Sequence, residues 1–245
     1  MLADSSIERY TVRGLWHELS AVALDLMFPA RCVGCGRSGD FLCTACRATL
    51  QPIEPPFCRR CGRPLSDGGT VCHDCRTAPL AIAGIRSAYC FQGAIRKAVH
   101  ELKYSDVTAL ARPLSHLVAP VVERLPAQVD AVVAVPLHSS RLRSRGYNQA
   151  ELLARELARS ARLPVLAGAV HRVRDTPSQV KVGGREARRA NVRGAFRCDD
   201  GRVHGKRILL LDDVCTTGST LSACAEALSA AGAASVWGVT VAREL

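Results

Sequence analysis

The sequence predicts an α/β protein, in which a parallel sheet flanked by helices follows a small cysteine-rich metal-binding module. Strand-like apolar runs alternate with helical patterns from about residue 84 onwards. Two of these runs end in polar loops that lead straight into helices, as in open parallel sheets. The module is predicted by the cysteines, since eight of the twelve lie between Cys32 and Cys75 in four CxxC pairs. A chain of 245 residues has room for one ordinary domain and such a module.

The composition is that of an ordinary globular protein, with 48% hydrophobic and 22% charged residues. A net charge of +11 suits a polyanionic ligand, a nucleic acid or both. Every apolar stretch is shorter than the roughly 18 residues of a membrane span. Leucine and valine at helical spacing predict an amphipathic helix within residues 1–27, packed on its own protein or lying on a membrane surface. Early acidic residues, Asp4 and Glu8, argue against a signal peptide, so a cytoplasmic location is expected.

The cysteine module is expected to span residues 28–80 and to hold two structural zinc ions. A CxxC knuckle directs two thiolates at one point, and two knuckles complete a tetrahedral zinc site with no open position for catalysis. The eight expected ligands are Cys32, Cys35, Cys43, Cys46, Cys58, Cys61, Cys72 and Cys75. Disulfides are the weaker alternative without an export signal. Two groupings stay open, the favoured consecutive one and a crossed one that joins the first knuckle with the third and the second with the fourth.

The second domain is expected at residues 84–245, where strands and helices alternate. The expected strands are Ile85–Phe91, Asp130–Val135, Ile208–Leu211 and Ala234–Arg243, and the expected helices are Gly93–Tyr104, Leu110–Arg124, Ala150–Ala161 and Leu221–Ala231. This alternation implies a parallel sheet with right-handed crossovers. In the last strand, Trp237 is expected in the core.

The segment Ile208–Thr220 carries the most chemistry. An apolar run ends in Asp212 and Asp213, and a loop of small residues then leads into a helix. The loop consists of Cys215, Thr216, Thr217, Gly218, Ser219 and Thr220, whose hydroxyls and glycine suit an anion held at a helix N-terminus. Carboxylates accept hydrogen bonds, so the acidic pair suits sugar hydroxyls or a metal. Together these residues predict a site for a ribose 5-phosphate group.

A second strand–loop–helix unit carries three arginines. The stretch Pro136–Ala150 follows a valine-rich strand and contains Arg141, Arg143 and Arg145. Guanidinium groups match phosphate oxygens in a two-pronged geometry, so this loop is expected to hold a second phosphate group. A solvated basic loop is the alternative.

Two resemblances extend these predictions. Ile208–Thr220 resembles the phosphoribosyl-pyrophosphate (PRPP) motif of type I phosphoribosyltransferases, in which the acidic pair contacts the ribose and the loop holds the 5′-phosphate. The four-knuckle module and the Arg-Gly-Tyr-Asn-Gln run resemble the ComF/GntX-type competence protein family, with a double zinc ribbon before a type I phosphoribosyltransferase fold. The resemblance implies pyrophosphate binding by Arg141, Arg145, Asn148 and Gln149, and less securely by Arg143. It also implies a hood loop containing Gln179, Arg188 and Asn191.

The resemblance implies a function in two forms. The first is a Mg²⁺-dependent phosphoribosyltransferase, or a PRPP-using relative, in which Asp212 and Asp213 are the catalytic pair and the hood excludes water. The second is a non-catalytic module of DNA uptake and natural transformation that binds single-stranded DNA, the transformation helicase or other DNA-processing proteins. A PRPP-sensing regulator without turnover is a third and weaker alternative.

Overall fold

The computed structural model describes residues 29–66, 68–175 and 185–245. In chain order its helices and strands are α1 (Thr44–Ala48), α2 (His73–Thr77), β1 (Gly84–Cys90), α3 (Gly93–Tyr104), α4 (Ala111–Glu123), β2 (Ala131–Ala134), α5 (Ser139–Arg145), α6 (Gln149–Ala161), β3 (His171–Arg172), α7 (Arg185–Val192), β4 (Phe196–Arg197), β5 (Arg207–Cys215), α8 (Ser219–Ala230) and β6 (Ser235–Arg243). Four strands form a parallel sheet in the order β1-β6-β5-β2, and β3 pairs with β4 in a short antiparallel ribbon.

The β5 strand lies inside the sheet and divides the core into two halves. Ile208 and Leu210 face α8, whereas Leu209 and Leu211 face the layer formed by α3, α4 and α6. Successive side chains of a strand point to opposite faces, so a run of four apolar residues is required where helices cover both faces. Because both neighbours of β5 are parallel strands, its carboxyl end opens at the same edge of the sheet as theirs.

Most predicted elements are confirmed, and α3 has the predicted bounds. The arginine stretch differs, because it contains the short helix α5 where a loop is expected. Local capping explains this helix: the ring nitrogen Nδ1 of His138 accepts from the backbone N–H of Ser140, and Gly146 ends the helix in the left-handed conformation with φ 80°. The ribbon of β3 and β4 is a second difference, since two-residue strands leave no periodic signal in the sequence.

The cysteine module packs along β1, the edge strand of the sheet. The backbone N–H of Ile53 donates to the Ala88 carbonyl at 3.0 Å, and that of Cys90 donates to the Gln51 carbonyl at 2.9 Å. The module therefore covers an edge that would otherwise present unpaired backbone groups. The last four knuckle cysteines belong to the same buried cluster as Ile85 and Leu221, so this half of the module shares the main core.

Two predictions lie outside the described residues, namely the helix within residues 1–27 and the position of Gln179. Across the part of the chain that is described, no helix is both long and apolar enough to cross a membrane.

Candidate functional site

The acidic pair lies where β5 meets the phosphate-type loop, and Lys103 at the end of α3 reaches it. The Nζ atom of Lys103 lies 2.9 Å from Oδ1 of Asp213, whose residue is only 3% exposed. The other carboxylate oxygen, Oδ2, is buried and has no hydrogen-bond partner among the described residues. A buried acceptor without a donor is costly, so this oxygen fits a ligand hydroxyl or a metal ion.

The carboxyl group of Asp212 lies beside a second acid and has a raised pKa. Burial, and next the adjacent negative charge of Asp213, raise the pKa of Asp212 from 3.8 to about 7, against the opposing charges of Lys103 and Arg172. Its Oδ1 accepts the backbone N–H of Asp213 at 2.8 Å, which fixes the carboxyl group at the strand end. The pair therefore combines an ion-paired carboxylate with a carboxyl that titrates near neutral pH.

We expect the Asp212→Asn variant to be more stable than the parent above pH 7. The folded state holds a proton that the unfolded state releases between about pH 4 and 7, so the unfolding free energy of the parent falls as pH rises through that window. Asparagine removes this titration, so the variant should gain about 4 kcal/mol of unfolding free energy relative to the parent above pH 7, with little difference below pH 4. Urea unfolding of both proteins from pH 4 to 8 measures this difference in unfolding free energy, and Asp40→Asn, at an exposed position, is the control. Parallel curves for Asp212→Asn and the parent would contradict the shift.

The loop after the acidic pair closes tightly onto the start of α8. Gly218 adopts φ 80°, and a Cβ built there would come within 2.8 Å of the Ile85 side chain. Oγ1 of Thr217 lies 2.7 Å from Oγ of Ser219 and accepts the backbone N–H of Ser219 at 3.3 Å. The loop thus needs glycine both for its backbone conformation and for the space beneath it. It presents the positive end of α8, where an anion is stabilised.

The predicted pyrophosphate residues occupy α5 and the start of α6. Asn148 caps α6, since its Oδ1 accepts the backbone N–H of Ala150 at 3.0 Å, and its Nδ2 donates to the Val135 carbonyl. Gln149 is buried and accepts from the Arg145 guanidinium. These two side chains are therefore engaged in holding the arginine helix in place, while Arg141 lies partly exposed on α5.

Arg172 on β3 connects the arginine helix with the acidic pair. Burial, and next the positive charge of Arg141, lower the pKa of Arg172, whereas Asp175 and Asp212 act in the opposite direction. The Arg172 side chain therefore lies within electrostatic reach of both Arg141 and Asp212.

The described part of the expected hood is anchored at both ends. Asn191 lies on α7, and its carbonyl accepts from the Arg174 guanidinium at 3.2 Å. The backbone N–H of Val173 donates to the Ala195 carbonyl at 2.9 Å, next to the β3–β4 ribbon. Arg188 belongs to α7, and its role stays a prediction.

The knuckle cysteines form two four-thiol groups in the consecutive order. One group is Cys32, Cys35, Cys43 and Cys46, and the other is Cys58, Cys61, Cys72 and Cys75, with all ligand atoms of a group within 4.8 Å of one another. Sulfur–sulfur distances of 3.7 Å occur in both groups. A tetrahedron with zinc–sulfur bonds of ~2.3 Å has an edge of about 3.8 Å, so both groups fit zinc.

In the second thiol group Cys61 favours the thiolate state that zinc requires, whereas burial raises the pKa of Cys72 and the hydrogen bond to Cys61 raises that of Cys75. The hydrogen bond from Cys75, together with that of the Arg63 backbone and the charge of Arg243, lowers the pKa of Cys61 to about 4, although burial opposes this. All four cysteines of this group are buried. The group is therefore a closed structural centre and a poor candidate for metal catalysis.

Two charged residues of the site escaped sequence reasoning, namely Lys103 and Arg243. Lys103 follows Leu102 at the end of an amphipathic helix, where lysine commonly faces solvent. Arg243 ends the last strand, yet it is 1% exposed and donates to the carbonyls of Thr216 and Cys61. The sequence around these residues does not mark them as site residues, because each reaches the site only through the arrangement of the strands in the sheet.

Comparison with known proteins agrees with this architecture. Residues 23–76 match the family described as Double zinc ribbon domain, and residues 104–244 match the family described as Phosphoribosyl transferase domain. The DNA utilization protein YhgH of Escherichia coli K12 is 32% identical over 203 residues, which cover 80% of this chain and 87% of that protein. Competence protein F of Haemophilus influenzae is 30% identical over 237 residues, or 86% of this chain and 97% of that protein.

A solved glutamine phosphoribosylpyrophosphate amidotransferase from B. subtilis is 19% identical, with a TM-score of 0.40, and the match covers 58% of this chain and 30% of that one. The phosphoribosyl transferase match spans more than half of the chain and lies C-terminal to the zinc-ribbon match. With sequence relatives at 30% identity or more over most of their length, the chain belongs to the ComF/GntX-type competence protein family, in which a double zinc ribbon precedes a phosphoribosyltransferase domain.

Proposed function

We propose that this chain binds PRPP as a phosphoribosyltransferase-like protein and acts in the cytoplasmic handling of incoming DNA. The relatives described above are named DNA utilization protein and competence protein, and these names support the DNA-linked role. The phosphoribosyl transferase match and the site geometry support the ligand. In this proposal Asp212 and Asp213 hold the ribose hydroxyls, and residues 215–220 hold the 5′-phosphate.

The observation that carries the proposal is the buried Oδ2 of Asp213. This oxygen has no donor among the described residues, and Asp213 lies in the strand that leads into the loop before α8. A hydroxyl on the ribose ring would satisfy it while the 5′-phosphate of the same sugar reaches the helix start. A pentose phosphate can donate a hydroxyl hydrogen bond to Asp213 and place its phosphate in the loop at the same time, whereas a free phosphate can fill only the loop.

The arginine helix would hold the pyrophosphate end of the ligand. Arg141 and Arg145 would contact the phosphate oxygens, while Asn148 and Gln149 keep α5 against α6. The carboxylates of Asp212 and Asp213 suit Mg²⁺, which would neutralise charge on the pyrophosphate as it leaves. Closure of the segment that contains Gln179, Arg188 and Asn191 would exclude water from the anomeric carbon.

Isothermal calorimetry with PRPP and Mg²⁺ tests the proposal. We expect the parent chain to bind and the Asp212→Asn/Asp213→Asn double variant to lose at least about 100-fold in affinity, because two charge-assisted hydrogen bonds to the ribose are lost. Asp199→Asn, an exposed aspartate outside the site, is the matched control. Equal affinity for the parent and the double variant would refute the assignment of the acidic pair. If the parent chain binds PRPP, release of pyrophosphate would distinguish a transferase from a protein that only binds PRPP.

Binding of single-stranded DNA is the second candidate, and one surface favours it. Tyr104 is 66% exposed, its ring centroid lies 4.8 Å from that of His100, and the Arg145 guanidinium lies 5.3 Å above it. An exposed aromatic ring flanked by a cation suits base stacking beside a phosphate backbone. Calorimetry with a single-stranded oligonucleotide in the same low-salt buffer tests this candidate, and the absence of heat would exclude it.

A further inference from the structure

Arg243 joins the second thiol group to the phosphate loop through one buried side chain. Its guanidinium donates to the Thr216 carbonyl at 3.0 Å and to the Cys61 carbonyl. Thr216 belongs to the loop proposed to hold the 5′-phosphate, and Cys61 belongs to the metal-binding group. A guanidinium is rigid and planar, so its two bonds fix the relative positions of these carbonyls.

The charge of Arg243 needs a partner, because the residue is 1% exposed. Within the described ranges, no carboxylate lies within ion-pair distance of Arg243. A zinc ion held by four thiolates would carry two net negative charges, and the Arg243 guanidinium donates to the backbone carbonyl of Cys61, one of these four cysteines. The metal-bound group would therefore supply the countercharge that a buried guanidinium requires.

Packing strengthens the same connection. The backbone N–H of Ala81 donates to Oγ of Ser222 on α8 at 2.9 Å, just after the second thiol group. Leu80 and Ile85 lie directly beneath Gly218, since a Cβ there would approach their side chains at 3.2 and 2.8 Å. The first thiol group lies elsewhere, where Lys97 near the start of α3 donates to the Gly34 carbonyl.

We propose that the second metal centre and the phosphate loop are energetically coupled through Arg243, so that loss of this metal, but not of the first, weakens phosphate binding. Arg243 is a positioning residue in this scheme, because it acts through Thr216. The inference rests on the proposed function, since the loop must bind a phosphate for the coupling to be expressed. Thermodynamic linkage makes the effect reciprocal, so a bound phosphate ligand must also retain the second metal.

Zinc release from the full chain tests this coupling without any substitution. A chromogenic chelator measures release in the presence and absence of ribose 5-phosphate with Mg²⁺. We expect the ligand to slow the release of one zinc per chain about fivefold or more and to leave the other unchanged. Cys46→Ser and Cys75→Ser assign the two ions: the zinc that remains should respond to the ligand in Cys46→Ser and not in Cys75→Ser.

A conservative variant tests the residue itself. Arg243→Lys keeps the charge, but a single ammonium group cannot reproduce the planar bridge between the two carbonyls, so we expect about tenfold weaker ribose 5-phosphate binding and loss of ligand-dependent zinc retention. Arg86→Lys is the matched control. Arg86 stacks on Phe57 and donates to the Arg59 and Ile85 carbonyls, and among the described contacts it makes none with the phosphate loop.

The outcomes separate the two proposals. No calorimetric heat with ribose 5-phosphate in the parent chain would refute the proposed function and this inference with it. Binding with equal protection of both zinc ions, or with neither protected, would overturn the coupling alone. The coupling would also be overturned if the Arg243→Lys and Arg86→Lys variants bound ribose 5-phosphate with equal affinity.

Discussion

The Lys103→Met variant should lose about 3–5 kcal/mol of unfolding free energy, because the Asp213 carboxylate then stays buried without a counterion. Lys103 lies 2.9 Å from Asp213, and their side chains are 21% and 4% exposed. Burial opposes the charge of Lys103, yet the carboxylates of Asp213 and then Asp212 raise its pKa, so the ammonium stays charged in the fold. Urea unfolding at pH 7 measures the loss.

A double-mutant cycle separates the ion pair from the rest of the site. Lys103→Met/Asp213→Asn removes both charges and should recover most of the lost stability, since a neutral amide is far less costly to bury than an unpaired carboxylate. PRPP binding should not recover, because the ribose acceptor is still changed. A Lys103→Met loss below 1 kcal/mol would contradict the buried pair, and exposed Lys97→Met is the control for removing an ammonium from the same helix.

Removal of both zinc ions should unfold the cysteine module and expose the edge of β1. Structural zinc sites of this kind contribute about 10–16 kcal/mol of binding free energy each, which exceeds the ~5–15 kcal/mol stability of a whole domain. Elemental analysis should give two zinc ions per chain before chelation. Hydrogen exchange should then show lost protection at the Ile53 and Cys90 amides, which pair the module with β1.

The α6 helix provides the internal control for this experiment. Its buried residues pack against α4 and β5, so its amides should keep more protection than those of the β1 edge. A chelated sample that contains no metal and keeps its melting midpoint and its Ile53 protection would contradict a structural role for zinc. Reloading with zinc should restore both.

Several features were predictable because they depend on neighbouring residues alone. The apolar period of residues 93–104 predicts α3, and four consecutive apolar residues from Ile208 predict a strand covered on both faces. The knuckle spacing identifies eight metal-type cysteines, and the structure places them in two groups. In each case the pattern that supports the prediction is local. Over such short stretches the backbone geometry of a helix, strand or knuckle fixes where each side chain lies.

The arginine stretch shows where local reasoning stops. Charge predicts that Pro136–Ala150 meets phosphate, but the helix α5 depends on the His138 ring and on left-handed Gly146. Asn148 and Gln149, which resemblance assigns to pyrophosphate, make intrachain bonds that hold Val135 and Arg145. A polar side chain uses the same atoms to cap a helix and to bind a ligand. Only the partner atoms seen in the structure show which of these two roles it has.

The sequence by itself determined the chemistry of two strand ends, namely an acidic pair before a glycine-containing loop and an arginine cluster, and of the module, whose thiols lie in knuckle spacing. Only the tertiary structure decided which charges meet there, since Lys103 reaches Asp213 from a helix, and Arg243 reaches Cys61 and Thr216 from the last strand. The reason is physical. Local geometry follows from adjacent residues, whereas a buried charge finds its partner through the strand order of the sheet, which places segments far apart in the chain side by side.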